Sequence, residues 1–156
     1  MNKIFSSLLS AGLLATAPTV HAQKSPSETA AVQQTVTAFF DGMRRGDSTA
    51  VRRTLAPAAV FHGFGGKPGQ PPTLEIESIN GFLKAVGTPH SAVWDERVTF
   101  ERVLIDANLA SVWAPYEFYL RGKFSHCGYD SFQLVKLADG WKIAHIIDTR
   151  RKEKCK

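Results

Sequence analysis

The chain has 156 residues, with 19 Lys and Arg against 14 Asp and Glu, for a formal charge of +5. That length holds one domain around one core. The excess charge sits at the ends: five basic residues and one acid fall in 150–156, Lys3 is near the start, and 23–149 carry 13 residues of each sign. A nucleic-acid footprint spreads basic residues over a face of the fold, so this distribution argues against a nucleic-acid partner.

Residues 1–22 have the three parts of a cleavable secretory signal. Lys3 supplies the positive start, Ile4 to Ala17 carries no charge, and Val20-His21-Ala22 places compact residues before a cut at Gln23. The apolar stretch is about 14 residues, short of the about 20 that a spanning helix needs. The expectation is a periplasmic or secreted protein of three parts: signal 1–22, one domain over 23–150, and a basic tail over 151–156. No later segment is apolar enough to span, so no membrane association is expected after cleavage. An oxidising compartment permits a disulfide between the two cysteines, Cys127 and Cys155. Two free thiols are the alternative.

In chain order, Ser25-Pro26-Ser27-Glu28 reads as a capping box with proline at the first helical position. Val32, Val36, Phe39, Phe40 and Met43 then repeat at helical spacing on one face. Gly46 ends that helix and Asp47 caps a short second one carrying Val51 and Leu55, stopped by Pro57. Residues 58–64 read as a strand, and the Gly- and Pro-rich run 62–72 as a rim loop. Its Gly66-Lys67 is followed by Pro68, which excludes the phosphate-binding pattern that needs Ser or Thr there. Ser78 caps a third helix over Ile79, Phe82, Leu83 and Val86. Four extended segments follow, at 93–105, 109–121, 124–137 and 141–149, joined by tight turns that make consecutive hairpins. Helices leading and strands trailing imply an α+β fold.

Two stretches make the chain similar to the nuclear transport factor 2-like superfamily. One is Phe39-Phe40-Asp41-Gly42-Met43-Arg44-Arg45-Gly46-Asp47. The other is the closing hairpin, from Asp130-Ser131-Phe132 through Asp139-Gly140-Trp141-Lys142-Ile143 to Asp148-Thr149. The resemblance covers 28–150 and reaches the polyketide-cyclase-like and lumazine-binding branches. It implies a cystatin-like fold, with N-terminal helices packed into a strongly curved antiparallel sheet that forms a conical pocket, and a homodimer packed sheet to sheet. It does not imply one activity.

Strand alternation assigns faces. With Gly122-Lys123 as a two-residue turn, Tyr119 pairs with His126, Glu117 with Gly128 and Trp113 with Phe132. With a three-residue turn at 138–140, Phe132 and Leu134 share a face with Ala144, Ile146 and Asp148. One face then collects Trp113, Glu117, Tyr119, His126, Asp130, Phe132 and Asp148. That is an aromatic wall with titratable groups, and it reads as a pocket lining. His126, Asp130 and Glu117 are the candidate catalytic groups, because an imidazole beside carboxylates moves protons near neutral pH. Trp113, Tyr119, Phe132, Asp148 and His62, at the loop mouth, are the candidate ligand-binding residues. A structural histidine bonded to Glu117 or Tyr119 is the plainer reading of His126. His145 falls on the opposite face. No HExxH, CxxC or GxSxG motif occurs, so neither a metal nor another cofactor is expected.

Three functions follow: an exported small-molecule-binding protein; a cofactor-independent isomerase, dehydratase or hydrolase using the His and carboxylate groups; and a homodimeric interaction module. The third would use Val112, Ala114, Tyr116 and Phe118 on the sheet's other face.

Overall fold

The structure, a computed structural model, describes residues 27–65 and 69–155. The expected signal and its expected cut, and the centre of the rim loop at 66–68, lie outside them. Helix α1 (Glu28–Arg45) is capped by Ser27, whose hydroxyl accepts the Ala30 N–H at 3.2 Å. The cap is thus Ser27 rather than Ser25, since Ser27 holds the extended conformation that lets its oxygen turn back on the helix. Asp47 caps α2 (Ser48–Thr54) through the Ala50 N–H at 2.8 Å, and Ser78 caps α3 (Ile79–Gly87) through Gly81.

Seven strands make one sheet: β1 (Leu55–Gly65), β2 (Thr73–Glu77), β3 (Trp94–Val98), β4 (Arg102–Asp106), β5 (Leu109–Leu120), β6 (Lys123–Leu137) and β7 (Gly140–Asp148). The spatial order is β2-β1-β7-β6-β5-β3, and β4 also pairs with β5. The expected single strand at 93–105 is two, broken at Thr99–Glu101, which lie end to end along the same edge of β5. β1 runs into the expected loop as far as Gly65, and β2, which follows that loop, was not foreseen. Nor was the pairing of β1 with β7, which is parallel in an otherwise antiparallel sheet.

The sheet curls around α1 without closing. Val32, Val36, Phe39, Phe40 and Met43 form the buried face of α1, as the periodicity predicts. Phe132, Leu134 and Ile143 meet them, all fully buried. Each such side chain taken out of water contributes about 1.5–3 kcal/mol. The start of α1 is tied to the last hairpin through Glu28, which accepts from Trp141 Nε1 at 2.8 Å and Lys136 Nζ at 2.7 Å. The helix therefore fills one end of the curl and leaves the other open.

Candidate functional site

The open end is a cavity of about 440 Å³, within the about 300–1,000 Å³ typical of ligand pockets. Its apolar side is Phe39, Phe40 and Met43 of α1, Phe61 of β1 and Phe82 of α3. These rings pack on one another: Phe39 stacks on Phe82 at 5.8 Å, and Phe61 meets both edge-on. The facing wall is sheet, with Trp94 and Glu96 from β3, Tyr116 and Phe118 from β5, and His126 and Asp130 from β6. Asp148 ends β7, and Arg150 follows it.

The β5–β6 register decides which side chains arrive there. The turn is Arg121-Gly122, both at positive φ, so Leu120 pairs with Lys123, and an irregularity at Ser125 then sets Phe118 opposite His126. This is one residue away from the sequence expectation, and a one-residue slip turns a strand over. β5 therefore presents Val112, Ala114, Tyr116 and Phe118 inward, not to a partner. Trp113, Glu117 and Tyr119 face outward. Trp113 stacks on Tyr129 at 5.0 Å, and the Tyr119 hydroxyl donates to Glu117 at 2.9 Å beneath the Arg97 guanidinium. None of these three lines the cavity. Phe132 points inward but is covered by Phe40 in the core.

His62 borders the cavity, yet its ring Nδ1 lies 2.7 Å from Nε2 of His145. Phe61 takes the inner position next to it. His126 lines the cavity between Phe118, stacked at 4.9 Å, and Tyr116, edge-on at 5.8 Å. Its hydrogen-bond partner is the Ser125 hydroxyl at 3.1 Å, not Glu117 or Tyr119. Burial, helped by the Arg150 charge, holds its pKa below the ordinary value, so its neutral form is favoured.

The acidic centre is Glu96, Asp130 and Asp148. Asp130 pairs across the sheet with Ala114 on one side and Asp148 on the other, and is 2% exposed. Its carboxyl hydrogen-bonds with that of Glu96, a contact two carboxylates make only by sharing a proton. Burial raises both groups and the charge of Asp148 raises them further; Glu96 also raises Asp130 by its charge, while the bond from Asp130 partly offsets the rise at Glu96, which is pushed up to about 8. Apart from that shared proton, the buried Oδ2 atom of Asp130 has no hydrogen-bond partner among the described residues. Tyr116 donates to the Thr149 carbonyl at 2.9 Å and to Asp148 at 3.3 Å. Burial and the surrounding carboxylates hold its hydroxyl protonated.

Arg150 closes the group: its Nε donates to Asp148 at 2.8 Å, and its Nη2 to Glu77 at 3.4 Å. Burial opposes its charge most strongly, but the bond to Asp148 and the charges of Asp148 and Glu77 together outweigh it and raise its pKa. The segment holding it continues β7 alongside β6, through mutual backbone bonds of Cys127 and Arg151, each 2.9 Å. Cys127 and Cys155 form a disulfide with a Cα separation of 5.7 Å, which fastens that segment. Gly128 makes the close approach possible. A Cβ there would overlap the Thr149 carbonyl oxygen and come within 2.7 Å of the Tyr116 ring.

Glu96, Tyr116 and Arg150 were missed by sequence reasoning. Alternation in Trp94-Asp95-Glu96-Arg97-Val98 would have placed Glu96 beside Trp94, had β3 been recognised as a separate strand. Arg150 was counted with the charged tail. Among the described residues, no group of three His, Cys, Asp or Glu is gathered as metal ligands would be.

Helices inside a curled, open sheet with a cavity at the wide end define a nuclear transport factor 2-like, cystatin-like protein. The chain belongs to the family described as Putative lumazine-binding, which it matches over residues 27–146. Solved structures agree on the fold. An NTF2-like protein of unknown function from Shewanella baltica OS155 superposes with a TM-score of 0.62 at 18% identity, covering 81% of this chain and 95% of that one. A second such protein, from Silicibacter pomeroyi DSS-3, gives 0.61 at 20% identity, covering 78% and 94%. A ketosteroid isomerase-like protein from Erwinia carotovora atroseptica SCRI1043 gives 0.58 at 21% identity, covering 79% and 95%. No curated protein matches the chain.

Proposed function

We propose that this is an exported small-molecule-binding protein whose cavity takes a ligand with an apolar body and one polar end. The observation that carries the reading is the division of the cavity: Phe39, Phe61 and Phe82 on one side, Glu96, Asp130 and Asp148 on the other. An apolar wall supplies affinity, and a few convergent polar groups fix orientation. The disulfide supports export, since such bonds persist in oxidising compartments. Nile red, a neutral apolar fluorophore, tests the pocket. It should bind saturably with blue-shifted emission, and Leu120→Trp at the rim should weaken it severalfold. Non-saturable binding, or binding indifferent to that substitution, counts against the proposal.

A proton-transfer enzyme is the second reading, favoured by a Glu96 carboxyl whose pKa lies near neutrality beside a protonated Tyr116. Its base would be Glu96 or Asp130, with His126 at the wall. Such an enzyme exchanges an acidic C–H of a bound ketone into heavy water, and Glu96→Gln slows that exchange at least about a hundredfold. A homodimer would use the outer sheet face, where Trp113 is 43% and Ile76 76% exposed. A monomer mass by light scattering at high protein concentration removes that reading.

A further inference from the structure

We infer that the ligand of this cavity is an organic cation, an amine on an aromatic or apolar body, with its ammonium group seated against Glu96 and Asp130. The inference rests on the pocket reading above and names the chemistry of the ligand's polar end.

Four acidic side chains line the cavity, Glu77, Glu96, Asp130 and Asp148, against one guanidinium, Arg150. Arg150 is already engaged by Asp148 and Glu77. Glu96 and Asp130 take part in no salt bridge among the described residues. They are the deepest acidic pair in the wall and the one without a counter-ion. Asp130 adds an independent sign. Asp130 lines the cavity, and its buried Oδ2, once the proton shared with Glu96 has left, has no donor among the described residues; a buried acceptor left unpaired is costly enough to be rare. A ligand N–H supplies the missing donor.

The surroundings suit a cation on an aromatic body. Phe118, Tyr116 and Trp94 present rings beside the pair, and ring faces attract ammonium groups. Helices α1 and α3 present only Phe39, Phe40, Met43 and Phe82 to the cavity, so no positive charge faces the pair from that side. The remaining charged or titratable neighbours are Tyr116 and His126 on the wall, His62 at the border, and Asp148, Arg150 and Glu77 at the rim. An anion would meet an excess of carboxylates. A metal ion would need ligands gathered about one point, which these are not.

The arrangement also couples binding to protons. Empty, the pair keeps a proton because it is buried and because the Asp148 charge repels both carboxylates. An ammonium removes that repulsion, so the amine displaces the proton.

Tryptamine, tryptophol and indole-3-acetate share one ring system and differ in the charge of the side-chain terminus. Calorimetric titration of the oxidised protein at pH 7, in phosphate and in Tris, reads both affinity and protons released. Tryptamine is expected to bind at least about tenfold more tightly than tryptophol, with indole-3-acetate weakest. Tryptamine should release close to one proton and tryptophol none. Glu96→Gln and Asp130→Asn should each weaken tryptamine at least about threefold and remove the proton release, while weakening tryptophol less. Tryptophol binding as tightly as tryptamine, or tryptamine binding without proton release, overturns the cation inference and leaves the pocket standing. Failure of all three to bind also overturns it, and the Nile red titration then decides the pocket separately.

Discussion

Replacing Glu96 with glutamine should stabilise the protein, and more so as pH rises. A carboxyl that ionises at 4.5 when unfolded and at about 8 when folded opposes folding once the unfolded chain can ionise it. The cost is absent below pH 4.5, grows to about 3 kcal/mol at pH 7 and levels off near 5 kcal/mol above pH 9. The Glu96 carboxyl borders the cavity, where water lowers these figures, so about 2 kcal/mol is expected at pH 8. Glutamine keeps the shape and can donate to Asp130 from its amide. Urea denaturation of both proteins at pH 4.5, 6, 7 and 8.5, with the disulfide intact, measures the difference. The two should coincide near pH 4.5 and diverge as pH rises, the wild type losing the more stability. Parallel curves across this range would refute the reasoning and return Glu96 to an ordinary solvated carboxylate.

Three further outcomes are expected. Gly128→Ala should cost about 2–3 kcal/mol in urea unfolding, because the added methyl overlaps the Thr149 carbonyl and crowds Tyr116; a loss below about 0.5 kcal/mol would contradict the close approach. Reducing the disulfide, or Cys155→Ser, should cost about 3–4 kcal/mol, from a loop closed across a sequence separation of 28. An unchanged urea midpoint with dithiothreitol would contradict that. The intact mass of the exported protein should correspond to a chain beginning at Gln23, and a mass retaining residues 1–22 would refute the signal reading.

The helices were legible because their signals are local. Val32 to Met43 repeat with the helical period, and Asp47 and Ser78 cap as their residue types predict. Strand faces on β6 and β7 were also legible: Asp130, Phe132, Ile146 and Asp148 share the inner face. β5 was not, and the reason is one residue. Glycine tolerates positive φ where arginine does so reluctantly, so Gly122 reads as the first turn residue. Arg121 adopts positive φ nonetheless, at 55°. That step, with the irregularity at Ser125, exchanges Trp113, Glu117 and Tyr119 for Val112, Ala114, Tyr116 and Phe118 on the inner face. An irregularity at Ala144 in β7, instead of the expected bulge at Gly140, left Asp148 on the expected side. Glu96 was hidden for a different cause. Its strand is short and was read as part of one long segment, so the alternation that sets Glu96 on the face of Trp94 and Val98 was not used.

The parallel pairing of β1 with β7 bears on when the protein can fold. His62 and His145, in contact across it, are 83 residues apart in sequence. Until β7 has emerged, β1 has no inner neighbour in the sheet, and the face of α1 lacks Ile143 and Trp141 to pack against. Contacts between distant parts of a chain slow folding, because loop entropy is lost before the contact is gained. A partly synthesised chain thus has little native structure to lock into. On the proposed export, that delay would keep the chain threadable, and the bond between Cys127 and Cys155 would form after the crossing and secure the last segment to arrive.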